Sequence, residues 1–144
     1  RYIMNLQLGD HRERTIYQRL QDLISRLHAP DSLNISILAP DDAPLFTPAT
    51  FEAICQMANE AVSNAVRHAN AAKITISTQQ KDDQFEIIIA DDGNGFDLES
   101  LADHSGLGLR NLQQRAALHG GHVDINTAPG RGTRVTIKIP VRIL

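Results

Sequence analysis

The chain has 144 residues, enough for one domain with one sizeable core. Hydrophobic residues make up 42% of it and aromatics only 4%, with no Trp, so that core must be built from Ile, Leu, Val and Ala. A formal net charge of −3 excludes broad electrostatic binding to nucleic acid, and a lone cysteine, Cys55, excludes an intrachain disulfide and a multi-cysteine metal site.

The chain order of elements begins without a signal over residues 1–11. Across residues 12–28, Ile16, Leu20, Leu23, Ile24 and Leu27 recur every three to four positions, which predicts an amphipathic helix. Ala29-Pro30-Asp31 ends it, and the alternation of Leu33, Ile35 and Ile37 predicts a short strand up to Leu38. Residues 40–44 read as a loop. Thr47-Pro48 pairs an N-cap with a proline at the first helical position and opens a long helix running to about His68. Cys55 falls in its apolar pattern and reads as a small core residue.

Two strands follow, over residues 73–78 and 85–90, with a hairpin turn at Lys81-Asp82-Asp83. Residues 91–105 are rich in Gly and Asp and read as a loop. Residues 107–118 read as a helix with Leu109, Leu112, Ala116 and Leu118 as its apolar set, stopped by Gly120-Gly121. A second strand pair, over residues 123–126 and 133–139, is joined by Ala128-Pro129-Gly130-Arg131-Gly132. The order α-β-α-β-β-loop-α-β-β lacks the strict alternation of a doubly wound parallel fold. It predicts an α/β (α+β) two-layer sandwich with a mixed sheet covered on one face by helices.

Four constellations carry chemistry. On the long helix, Glu60 and Asn64 are four residues apart and share a face, with Arg67 and His68 one turn on. Ala61, Ala65 and Ala69 read as keeping that surface open. The amide oxygen of Asn64 is a hard ligand suited to Mg²⁺, Glu60 suits orienting a water or accepting a proton, and Arg67 suits a phosphate. A solvated face of ordinary ion pairs is the competing reading, and for this helix alone it is the stronger one. Second, Asp91-Asp92-Gly93-Asn94-Gly95-Phe96 follows an apolar strand. A carboxylate there can accept from an exocyclic amine such as that of adenine, although a tight turn uses the same residues.

Third, Gly106-Leu107-Gly108-Leu109 opens a helix whose free N–H groups make an anion seat, or simply turns the chain. Fourth, Gly130-Arg131-Gly132-Thr133 enters the last strand, and its Thr hydroxyl lies near Asp91 if the two strands are neighbours. A plain hairpin loop explains this segment in isolation.

Taken in order, this four-part pattern resembles the Bergerat, or GHKL, ATP-binding fold shared by gyrase-type ATPases, Hsp90, MutL and histidine kinases. The segment Asn59-Glu60-Ala61-Val62-Ser63-Asn64-Ala65-Val66-Arg67-His68-Ala69 is similar to the N box of the nitrate-sensor-type histidine kinases. Asp91 to Phe96 is similar to their G1 box, and His104-Ser105-Gly106-Leu107-Gly108-Leu109-Arg110-Asn111-Leu112 to their G2 region. The resemblance covers about residues 12–140.

It implies a mixed, largely antiparallel sheet of Bergerat type and a set of roles. Asn64 would coordinate an Mg²⁺ bridging the ATP phosphates, with Glu60 beside it helping to activate the attacking group. Arg67 and His68 would lie near the phosphates or ribose. Asp91 would hold the adenine amine, with Gly93 and Gly95 shaping that wall and Thr133 supporting the contact. Gly106, Leu107, Gly108 and Leu109 would present backbone to the phosphates, and His104 would sit in a short ATP lid.

The implied reaction passes the ATP γ-phosphoryl to a histidine on a separate dimerisation segment and on to a response regulator receiver domain. An anti-sigma-factor-type serine kinase and a non-catalytic nucleotide-sensing module are the alternatives. Leu20-Gln21-Asp22 has Gln where these kinases carry a phosphoacceptor His, and the strand that begins soon after it leaves no room for a two-helix hairpin, so the hairpin bearing that His is expected to be absent. Residues 12–144 then form one ATP-binding domain and residues 1–11 the end of an upstream segment. His11, His119 and His122 read as surface histidines. With no run of ~18 apolar residues and no signal peptide, the piece is expected to be soluble and cytoplasmic. Its parent would be a homodimer anchored in the bacterial inner membrane.

Overall fold

The structure is a computed structural model that describes residues 15–27, 29–39, 46–68, 70–95 and 106–141; of residues 68 and 106–110 it describes the backbone only. Helix α1 spans Ile16–Arg26 and is followed by strand β1, Asn34–Leu38, and the long helix α2, Pro48–His68. Then come β2 (Lys73–Lys81), β3 (Gln84–Asp91), α3 (Gly106–Leu118), β4 (His122–Thr127) and β5 (Thr133–Pro140). Among the described residues no helix is long and apolar enough to cross a membrane.

Local chemistry sets the helix ends. α1 begins at Ile16 because Thr15 is extended and caps it: its hydroxyl accepts from the Gln18 N–H, and the Gln18 side chain accepts from the Thr15 N–H, both at 3.1 Å. The expected start at residue 12 ignored this Thr-x-x-Gln signal. α2 is capped as expected, with the Thr47 hydroxyl accepting from Thr50 N–H at 3.2 Å. α3 closes through left-handed Gly120: Gly121 N–H donates to the Ala116 carbonyl at 2.8 Å and Gly120 N–H to Ala117 at 3.0 Å, the paired bonds of a glycine C-cap.

The five strands form one sheet in the order β1-β2-β3-β5-β4, with β1 and β2 parallel and every other pair antiparallel. The expected mixed, largely antiparallel sheet is therefore the observed one. The β2–β3 hairpin reaches further than its apolar residues suggested. Lys81 pairs with Gln84, leaving a two-residue turn in which Asp82 is left-handed. Asp91, expected in a loop, is the last residue of β3.

Alternation along the strands aligns the buried side chains into rows across one face. Ile37, Ile76, Ile89, Val135 and Ile125 are successive partners across all five strands. Thr78, Ile87, Ile137 and Val123 make the next row. The helices cover this face. α2 lays Ala53, Ile54, Met57, Ala58, Ala61, Val62 and Ala65 onto it, all buried. Each of Ile54, Met57 and Val62 is fully buried and contributes on the order of 1.5–3 kcal/mol. The alanines let the helix lie close to the sheet. Ala61 and Ala65 thus belong to the core and do not line an open surface beside Glu60 and Asn64.

α3 contributes buried Leu112 and Ala116. Leu118, expected in its apolar set, is 82% exposed, because six residues past Leu112 the helix has turned it away from the core. Gln113 fixes α3 to β4, donating to the Val123 carbonyl at 2.6 Å and accepting from the Val123 N–H at 3.2 Å. His119 is not a plain surface histidine. Its Nδ1 lies 3.0 Å from the Thr50 hydroxyl, joining the end of α3 to the first turn of α2.

Candidate nucleotide site

The core-facing rows change character at one end of the sheet. Ile35, Ile74, Asp91, Thr133 and Thr127 are successive partners from β1 to β4. Two apolar residues give way to a carboxylate and two hydroxyls on the face that carries the helices. Asp91 is half-buried between fully buried Ile74 and buried Thr133. Burial pushes its carboxyl above the ordinary carboxylate range, and the neighbouring Asp92 charge adds to this. The backbone N–H groups of Gly93 and Thr133 pull the other way, with Gly93 donating to Oδ1 at 2.8 Å.

The adjacent carboxylates have separate duties. Asp92 Oδ1 accepts from the Ala72 and Lys73 N–H groups, both at 2.9 Å, and its own N–H donates to the Lys73 carbonyl at 3.2 Å. Asp92 therefore ties the end of β3 to the start of β2, which leaves Asp91 as the carboxylate turned to the helix side. The one local turn bond of this segment is at Asp91, whose Oδ1 accepts from the N–H two residues on, whereas Asp92 bonds across to β2.

Glycines set how closely the following loop can approach. Gly95 is left-handed, and a Cβ there would overlap the Ala128 carbonyl of the β4–β5 connection. Asn94 accepts from Gly130 N–H at 2.6 Å, closing the same contact. Gly132, also left-handed, leaves no room for a Cβ against the Asp91 carbonyl. Thr127 closes the far side: its hydroxyl lies 3.1 Å from the Gly132 carbonyl and 2.9 Å from the Thr133 hydroxyl. Thr127 carries no signal in the sequence, and Gly132 falls within the fourth constellation without a role of its own. A glycine directly before Thr133 was the only signal, and it reads equally as a turn.

α2 delivers its polar face to the same end of the fold. Its C-terminus leads through left-handed Asn70 directly into Lys73, the residue that Asp92 holds. Glu60 and Asn64 are half-buried one turn apart, and Arg67 is exposed. Arg67 donates to Asn64 Oδ1 at 3.0 Å. That carbonyl oxygen is thus turned outward and able to accept from a cation. Among the described residues no group of three or more His, Cys, Asp or Glu side chains could hold a metal alone. A cation at Asn64 would need phosphate and water oxygens to complete its shell.

His68 ends α2. Gly106, Leu107, Gly108 and Leu109 form the first turn of α3, where N–H groups lack intrahelical partners. His104 and Phe96 lie outside the described residues. Cys55 lies away from these groups, half-buried between α1 and α2, with its thiol pushed up to about 11 by burial. The depression there, bordered by Arg19, Leu20 and Asn59, measures about 110 Å³. Ligand pockets take roughly 300–1,000 Å³, and none of the candidate residues lines this one.

Sheet, helices and polar row define a Bergerat-type α+β sandwich. The family of histidine kinase-, DNA gyrase B- and HSP90-like ATPases matches residues 50–143, and the chain belongs to it. An uncharacterized sensor-like histidine kinase of Chloroflexus aurantiacus is 40% identical over 94 residues, which are 62% of this chain and 16% of that protein. The sensor protein VraS of Staphylococcus aureus is 36% identical over 86 residues, 60% of this chain and 24% of that one. The chain thus spans less than a third of the length of either curated relative.

Among solved structures, the ATP binding domain of PrrB from Mycobacterium tuberculosis superposes with a TM-score of 0.67 at 25% identity. It covers 94% of this chain and 95% of its own. The Acinetobacter baumannii histidine kinase AdeS shares the fold, with a TM-score of 0.70 at 21% identity over 89% of this chain and 64% of its own.

Proposed function

We propose that residues 12–144 form the ATP-binding catalytic domain of a two-component sensor histidine kinase, with residues 1–11 as the end of an upstream segment. The observation that carries this reading is the half-buried Asp91 carboxylate, braced by Gly93 and flanked by Thr133, at the end of the sheet to which α2 leads. An anionic acceptor in a partly desolvated wall suits the adenine amine. Gly93 and Gly95 shape that wall.

At the phosphate end, Asn64 offers a carbonyl to Mg²⁺, Arg67 offers positive charge, His68 would lie with it near the phosphates or ribose, and the first turn of α3 offers the N–H groups of residues 106–109. Bound Mg²⁺ would neutralise charge on the phosphate oxygens. The bond between the γ-phosphorus and the β,γ-bridging oxygen breaks, and a bond forms to an imidazole nitrogen on a separate dimerisation segment. ADP leaves, and Glu60 would take the proton that the imidazole sheds. The protein's share is positioning and electrostatics. His104 would belong to the loop that closes over the phosphates.

The phosphoryl group then moves to an aspartate of a response regulator receiver domain. The parent would be a homodimer anchored in the bacterial inner membrane, with this domain on the cytoplasmic side. The serine-kinase and nucleotide-sensing alternatives are not favoured, since one relative is named a sensor-like histidine kinase and another a sensor protein.

Calorimetric titration with a non-hydrolysable ATP analogue, with and without Mg²⁺, tests the reading. Saturable binding is expected, strengthened by Mg²⁺ in the wild type and insensitive to Mg²⁺ in Asn64→Ala. Absence of binding at millimolar nucleotide would overturn it.

A further inference from the structure

Helix α3 is held at its middle and at its end. Gln113, at the middle, bonds both the N–H and the carbonyl of Val123 and so fixes α3 to β4. Further along, the bonds go to α2 instead. Arg115 donates to the Gln56 side chain at 2.8 Å, and His119 Nδ1 lies 3.0 Å from the Thr50 hydroxyl. That hydroxyl accepts from the Thr47 hydroxyl at 3.1 Å, which leaves its own proton for His119. As the contacts advance from Thr50 to Gln56 on α2 they step back from His119 to Arg115 on α3, so the two helices run antiparallel.

At about 1.5 Å per residue, Asn64 lies ~12 Å beyond Gln56 along α2, and Gly106 ~14 Å before Arg115 along α3. The first turn of α3 and the Asn64 amide thus come level with each other. Apolar packing does little to fix this register, since Leu112 and Ala116 are the only buried side chains among those described on α3. His119 is ~9 Å along the helix from Gln113, and Gly106 is ~10 Å from it on the other side. A rigid helix pivoting at Gln113 therefore carries a shift at His119 to its first turn at almost full size and in the opposite direction.

We propose that His119 and Thr50 are positioning residues: their bond, supported by Arg115 on Gln56, sets the register of α3 on α2 and so holds the N–H groups of the first turn of α3 beside Asn64. A metal-bridged polyphosphate needs both at once, because the oxygens that Mg²⁺ would take at Asn64 belong to the same chain of phosphates that the N–H groups would hold. The inference rests on the nucleotide reading given above and adds to it what fixes the distance between its two phosphate-binding elements.

The test is calorimetric titration of the 144-residue chain with a non-hydrolysable ATP analogue, with and without Mg²⁺, read as the ratio of the two affinities. The wild type is expected to bind more tightly with Mg²⁺. Thr50→Val and His119→Phe should each cut that enhancement by about threefold or more, the low end of what one hydrogen bond is worth. The double variant should lose no more than either single one. His119→Asn, whose amide oxygen falls where Nδ1 stood, and Thr50→Ser should restore the ratio. Thermal melts confirm that each variant is folded, and Gln56→Ala, at an exposed position, supplies a second probe that should lower the same ratio.

Affinities that fall equally with and without Mg²⁺ would show a merely structural role and overturn the inference, as would a ratio that does not move. Additive losses in the double variant would show that the two residues act separately, and overturn it too. A wild type that binds nucleotide without Mg²⁺ enhancement leaves nucleotide binding standing and overturns the metal role of Asn64, and the inference with it. A wild type that binds no nucleotide overturns the nucleotide reading itself.

Discussion

Asp91 on β3 and Thr133 on β5 are direct cross-strand partners, and Gly132 packs its α-carbon against the Asp91 carbonyl from the same connection. The carboxylate, the hydroxyl and the backbone between them thus form one unit held by a strand pairing. Local sequence does not bring them together.

Asp91 is held at a cost to the fold. Burial raises its carboxyl above the unfolded-chain value, so the folded state binds that proton more tightly. The destabilisation is absent below the unfolded-state pKa, grows as pH rises through the folded-state one, and is fully present at neutral pH. Asp91→Asn should melt at or above the wild-type temperature at pH 7, and the gap should close on acidification. Its affinity for an ATP analogue should fall at least tenfold, the worth of a hydrogen bond to a charged acceptor, ~1.5–3 kcal/mol. Thermal melts across pH, beside calorimetry, check both halves.

Gly132 and Gly130 are both left-handed, yet only Gly132 is enclosed; a Cβ at Gly130 meets nothing within 4 Å. Gly130→Ala should cost only the backbone penalty, about 1–2 kcal/mol. Gly132→Ala adds an overlap with backbone that cannot move aside, and should cost ~3 kcal/mol or more and disturb nucleotide binding. Urea denaturation ranks the two, and equal losses would contradict the close approach.

Asp92→Ala removes the acceptor for two N–H groups at the start of β2. These groups are near solvent, so the stability loss should be about 1–2 kcal/mol. Because Asp92 sets where β3 ends, ATP-analogue affinity should also drop, and Asp92→Asn, which keeps an acceptor oxygen, should recover most of both. Paired denaturation and calorimetry on the two variants provide the check.

Thr15→Ala dismantles the capping box of α1 and should cost about 1 kcal/mol, without change in nucleotide affinity. Thr15 lies outside the stretch that matches the ATPase family. A loss of affinity in this variant would show that α1 is coupled to the site.

Much of the candidate site was legible because its signals are local. Glu60 and Asn64 share a face by helical spacing alone, and Thr47-Pro48 and Gly120-Gly121 mark helix ends by their own backbone chemistry. Other features were illegible for an equally physical reason. Asp91 and Asp92 have identical side chains, and only contact with Ala72 and Lys73 tells the structural carboxylate from the one facing the site. Ala61 and Ala65 look like spacers beside Asn64 until the sheet is seen beneath them.

By itself the sequence determined the element order, the helix caps, the β2–β3 hairpin and the set of polar groups available, since propensity, periodicity and turn geometry act within a few residues. Only the tertiary structure decided that β5 inserts between β3 and β4. That placement puts Thr133 beside Asp91 and Thr127 beside Thr133, because hydrogen-bond ladders and close glycine contacts form between segments distant along the chain.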